Sequence, residues 1–213
     1  MIDYFLAFLI PLFIIVNPSS TLALFSIITS KYSKKERVLT AKRSATYASI
    51  LLIIFALAGS SILEFLGLQL YSLRIAGGIL LAFVGLDMVR RGEQFGESPP
   101  DSKEKPDYAL VPLAMPSLSG PGAITVTIVS MKLLTEQEGL SWFVAIGIAI
   151  ICILLVMLIT FLIFLSSTYV VKILGKKGMD ALTRVMGLLT VGIAVQFALT
   201  GLQGWLTDIG AIV

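Results

Sequence analysis

The chain predicts an all-α membrane protein: six transmembrane helices in two inverted repeats of three, with spans 1 and 4 broken at the bilayer midplane. Three observations lead there. Of 213 residues, 57% are hydrophobic and only 14% charged, where a soluble domain carries about 25% charged residues. The apolar residues gather into six runs, each near the length of about 20 residues that crosses a bilayer as a helix. The first and fourth runs each carry a polar interruption centred on a proline.

Span 1 covers roughly 4–29 and contains the interruption "NPSST" at 17–21. It lacks a basic segment before it and a small-residue cleavage site, so it reads as a first span and not as a removed signal. Spans 2 and 3 follow at about 44–63 and 72–89. The stretch "RRGEQFGESPPDSKEKPD", with Pro99, Pro100 and Pro106, reads as a charged linker. This divides the chain into a first three-span repeat at 1–91, a cytoplasmic linker at 92–108 and a second repeat at 109–213, within one membrane domain. Span 4 covers 109–131, with "SGPG" at 119–122. Spans 5 and 6 lie near 142–165 and 182–204. The single cysteine, Cys152, sits in the apolar run of span 5 and reads as a small buried hydrophobe.

Basic residues set the expected orientation. They cluster after span 1 (Lys31 to Arg43), after span 3 (Arg90 to Lys105) and after span 5 (Lys172 to Arg184). Of the 16 lysines and arginines, only Arg74 and Lys132 fall on the other side. Both termini are therefore expected outside and the three basic loops in the cytoplasm.

The halves align when Asn17-Pro18 is paired with Gly120-Pro121, and again, in a slightly shifted register, when Arg74 is paired with Arg184. Three spans per half is an odd number, so the second half enters the membrane from the opposite side, as in many secondary transporters. Each break has the residues of a helix restart. Asn17 can cap a new helix and Pro18 suits its first position; Ser119 or Gly120 and Pro121 do the same in span 4. Amide groups of Ser19, Ser20 and Thr21 on one side, and of Gly122, Ala123 and Ile124 on the other, would then face a common site. Gly122 would let a ligand approach the backbone.

The expected substrate-binding residues are thus Asn17, Pro18, Ser19, Ser20, Thr21, Ser119, Gly120, Pro121, Gly122 and Thr125. Such a site has dipoles, hydroxyls and an amide, but no carboxylate. It suits a small zwitterion whose carboxylate meets the helix N-termini and whose ammonium meets backbone carbonyls near Val16 and Leu118 or the Asn17 oxygen. A secondary transporter of small neutral amino acids, working by alternating access, is the leading reading. A small-metabolite channel and a drug or metabolite exporter of the same fold are the alternatives. With no histidine, no paired carboxylates within the spans and no serine–base arrangement, an enzyme is not expected. Nor is a cofactor, a metal site or a nucleic-acid partner.

Four further residues are candidates for gating or coupling. Arg74 and Arg184 read as helix anchors or as gate residues pairing across the repeats. Asp87 reads as an ion-pair partner of Arg90 or Arg91, and is also the candidate for proton coupling, with carbonyls at the breaks as the alternative for sodium. Gln196 reads as a packing residue between helices or as a cavity-lining one. Gly77, Gly78, Ala82 and Gly85 on span 3, with Gly187 and Gly192 on span 6, form small-residue strips for close packing.

The stretches "VNPSS" at 16–20 and "MPSLSGPGAIT" at 115–125, with the RxxG patterns at Arg74–Gly77 and Arg184–Gly187, resemble the MarC family of six-span bacterial and archaeal membrane proteins. The resemblance covers essentially the whole chain. It implies the six-span fold, a prokaryotic cell membrane location and, as for some members, transport of small neutral amino acids. The family's first motif usually continues after Asn-Pro with a hydrophobic residue and glycine; Ser19 and Ser20 stand there in this chain.

Overall fold

The computed structural model describes residues 2–29, 32–91 and 108–211. The linker expected at 92–108 lies outside them, apart from Tyr108. All described elements are helical: α1 (Ile2–Val16), α2 (Pro18–Ile28), α3 (Lys34–Phe65), α4 (Leu70–Arg91), α5 (Ala109–Leu118), α6 (Pro121–Lys132), which runs on into a short wide turn at Leu133–Gln137, α7 (Trp142–Leu165) and α8 (Ser167–Asp208). Among the described residues, four helices are long and apolar enough to cross a membrane: α3, α4, α7 and the Asp180–Asp208 part of α8. Helices α1 and α2 follow one another end to end, as do α5 and α6.

Local chemistry explains the ends. Helix α3 starts at Lys34, ten residues before the apolar run that marks span 2. Ser33 and Glu36 form a reciprocal capping box there: the Ser33 hydroxyl accepts the Glu36 N–H at 3.3 Å, and the Glu36 carboxylate accepts the Ser33 N–H at 2.8 Å. Lys34, Lys35, Arg37, Lys42 and Arg43 are therefore helical, not in a loop as expected. The helix ends at Leu66 with Gly67 in the left-handed region (φ 65°). The N–H groups of Gly67 and Leu68 donate back to the carbonyls of Glu64 and Leu63, which closes the helix in a Schellman motif.

Helix α8 begins well before the expected span 6. Gly175 (φ 59°, ψ −177°) breaks its helical path once, a conformation that L side chains rarely adopt. Lys177, expected in a loop, is helical just past this kink.

The core joins α1, α2, α3, α5, α6 and α7 around Phe8, Leu12, Phe25, Leu52, Leu118 and Ile153, all essentially inaccessible. Phe25 of α2 stacks on Phe164 of α7 with ring centroids 4.3 Å apart. Helices α4 and α8 stand outside that cluster as an antiparallel pair. Gly85 lies against the Gly187 carbonyl, Gly78 against the Ala194 carbonyl, and Gly201 against the Tyr71 carbonyl. Backbones meet directly here, which is why glycine occupies these positions. Of the small residues read from the sequence, Gly77 instead faces Thr125 of α6, and Gly192 meets nothing within 4 Å.

Candidate functional site

At the first break, Asn17 takes a left-handed conformation (φ 46°) that asparagine tolerates better than most residues. Its N–H donates to the Phe13 carbonyl at 3.1 Å and its carbonyl accepts the Thr21 N–H at 3.3 Å. One residue therefore ends α1 and begins α2. Pro18 follows at the first helical position, where it has no N–H to lose. The Asn17 side chain is buried. Its Oδ1 accepts the Ser19 hydroxyl at 2.7 Å, and its Nδ2 points to the Met88 sulfur of α4 at 3.6 Å.

The second break is more elaborate. Gly120 (φ −69°, ψ 176°) caps α6, Pro121 follows, and the Gly120 carbonyl accepts the Ile124 N–H at 3.1 Å. Upstream, α5 is wound in wide turns. Leu113 donates to the Tyr108 carbonyl and Ser119 to that of Ala114, each across five residues. Val111 and Met115 leave the helical region altogether. Each precedes a proline, Pro112 and Pro116, whose ring disfavours helical geometry in the residue before it. Ser119 is fully buried, and its hydroxyl also donates to the Ala114 carbonyl at 2.8 Å.

The hydrogen-bond ladder corrects one expectation. Thr21 and Ile124 N–H groups are already used by their helices, and Pro18 and Pro121 have none. The helix ends proper therefore present the amides of Ser19 and Ser20 at one break, and of Gly122 and Ala123 at the other. Gly122 is also less open than expected. The place of its missing Cβ is taken by Leu81 of α4 and Ile15 of α1. Thr125 is buried with its side chain against Gly77 of α4. Both breaks thus rest on α4. Asn17 meets Met88 and Gly122 meets Leu81, so along that helix they are staggered by about two turns and not level.

The expected coupling residues separate. Arg184 donates from Nη1 to the Val89 carbonyl of α4 at 2.6 Å and pairs through Nε with Asp180 at 2.8 Å. Arg74 packs beside Gly201 of α8, within the electrostatic reach of Glu136. Glu136 itself pairs with Lys132 at 3.0 Å. Asp87 is half-buried near the end of α4. Gln196, expected between helices or lining a cavity, is exposed on the outward face of α8. Met88, Leu81 and Ile15 were not foreseen as part of the site. They are ordinary apolar residues whose partners lie far away in sequence. The wide winding of α5 was legible in Pro112 and Pro116.

A MarC family integral membrane protein model matches residues 2–206. A UPF0056 membrane protein of Methanocaldococcus jannaschii is 40% identical over 95% of this chain and 98% of its own length. The UPF0056 membrane protein YvbG of Bacillus subtilis is 30% identical over 96% of each chain. YhcE of Escherichia coli is 32% identical over 92% of this chain and 91% of its own. No solved structure matches. With matches that run almost from end to end, in bacteria and in archaea, the chain belongs to the MarC family of integral membrane proteins.

Proposed function

We propose that this protein is a secondary transporter that moves small neutral amino acids, of the glycine or alanine type, across the cell membrane by alternating access. On this reading the chain crosses six times, with both termini outside. Helices α3, α4, α7 and α8 each make one crossing. The pairs α1–α2 and α5–α6 each make one more in two pieces. Their pieces have 15, 11, 10 and 12 residues, too short singly for a core about 30 Å thick.

The halves are read as inverted repeats, and the packing supports this. Exchanging α1 to α4 for α5 to α8 turns the contact of α1 with α7 into that of α5 with α3, and α2 with α8 into α6 with α4. The pairs α3–α7 and α4–α8 map onto themselves.

The observation that carries the proposal is the matched pair of breaks. Each has a proline at the first helical position and two backbone amides at a helix N-terminus, in protein-lined surroundings that tolerate irregular backbone at membrane depth. Each dipole end suits an anionic group such as a carboxylate without a cationic side chain. Arg74 and Arg184, at opposite ends of the α4–α8 pair, are assigned as gate residues, and Asp87 as the proton-coupling candidate.

The test is counterflow of labelled alanine into proteoliposomes preloaded with glycine, with and without a pH or sodium gradient. Accumulation without a gradient supports the carrier, and gradient dependence names the coupling ion. Failure of counterflow in folded, reconstituted protein removes the cargo. Single-channel conductance would favour a pore instead.

A further inference from the structure

The outward face of α8 carries a polar group where a bilayer offers it no partner. Gln196 lies near the middle of the 29-residue stretch Asp180–Asp208 and is exposed. Its neighbours on that face are apolar: Leu188 is 66% exposed, Val195 51% and Leu199 57%. Among the described residues, no group pairs with its side-chain amide, and the central turns of α3, α4 and α7 expose no amide or charged side chain. A primary amide facing hydrocarbon is costly. At that depth a glutamine cannot reach the headgroups.

The face also has a regular period. Val185, Gly192 and Leu199 are spaced by seven, as are Leu188, Val195 and Leu202, and all six are exposed. A seven-residue repeat is the spacing of a seam between two helices. Gly192 stands one turn before Gln196, and the place of its Cβ is open, with nothing within 4 Å. A second backbone can come close there.

We infer that this face of α8 is the seat of a second copy of the same chain, packed about a two-fold axis near Gly192 and Gln196. The choice of a second copy follows from the chemistry of the amide, which both donates and accepts. A two-fold axis brings identical residues together, so each Gln196 donates its N–H to the other's carbonyl and both are satisfied. The inference does not rest on the transport reading.

The test uses the full chain in lipid. Val195→Cys should form an oxidative cross-link between two protomers, whereas Phe83→Cys, on the outward face of α4 (69% exposed), should not. The native Cys152 is buried in α7 and serves as the background. In mild detergent, light scattering should give the mass of two protomers, and Gln196→Leu should weaken the association roughly three- to twentyfold. That variant removes a polar group from an outward face, so the fold is kept. A one-protomer mass for the native chain would overturn the inference. So would cross-linking at 195 no faster than at 83, or a Gln196→Leu protein that associates as tightly as the native one.

Discussion

Arg184 of α8 donates from Nη1 to the backbone carbonyl of Val89, 2.6 Å away in the last turn of α4. The last four carbonyls of a helix have no partner within it and carry partial negative charge. Arg184 satisfies one of them while its Nε holds Asp180. A planar fork can do both; a lysine ammonium reaches one. Both Arg184→Ala and Arg184→Lys should therefore destabilise the α4–α8 junction. The guanidinium is nearly half exposed, so solvent screening keeps the loss small. Thermal unfolding of the purified protein checks this. A lysine variant as stable as the native chain would show that charge alone matters.

The glycines of α4 and α8 divide sharply by position. A Cβ on Gly85 would lie 2.8 Å from the Gly187 carbonyl and 2.9 Å from the Val191 nitrogen, both backbone atoms that cannot swing aside. Gly85→Ala should cost about 1–3 kcal/mol by forcing the helices apart. Gly192→Ala meets open space and should leave the protomer's stability unchanged or slightly raised, as alanine favours helix. Comparing the two melting temperatures in dilute detergent tests the packing assignment directly.

Asn17 combines a backbone role and a side-chain role, and two substitutions separate them. Asn17→Gly keeps access to φ 46° but loses the Ser19 and Met88 contacts. Asn17→Ala loses those contacts and adds the penalty of a left-handed alanine, on the order of 1 kcal/mol. The glycine variant should be the more stable of the two. If the side chain also binds substrate, both should lose counterflow to the same degree. Flux retained in Asn17→Gly would confine the residue to shaping the break.

The start of α3 depends on a local device. Ser33→Ala removes the acceptor for the Glu36 N–H and should cost about 1 kcal/mol. The unravelling should stay within the first turns, so amide exchange should accelerate at 34–38 and remain slow around the buried Leu52. Uniform acceleration along α3 would contradict a local cap.

Much of this was legible in the chain. The apolar run of α7 needs only composition and length. Asn17-Pro18 and Gly120-Pro121 announce their breaks, because proline forbids the continuing hydrogen bond and the residues before it suit a cap. The capping box at Ser33–Glu36 was also there to be read, and it explains why α3 starts before its apolar segment. What could not be read is contact between distant segments. Nothing near Met88 marks it as the neighbour of Asn17, and nothing near Leu81 marks it as the filler beside Gly122. Gln196 shows the same limit in reverse, since the face a helix turns outward is set by α4 packing against it through Gly78 and Gly85.

Helix α4 touches both interruptions, through Met88 at Asn17 and through Leu81 at Gly122, and is keyed to α8 by carbonyls seated on glycines. A rod fixed in that way cannot release one interruption and keep the other undisturbed. Sliding or tilting α4 shifts both of its contacts together, and carries α8 along. The two interruptions, far apart in sequence, are in effect geared to a single shaft.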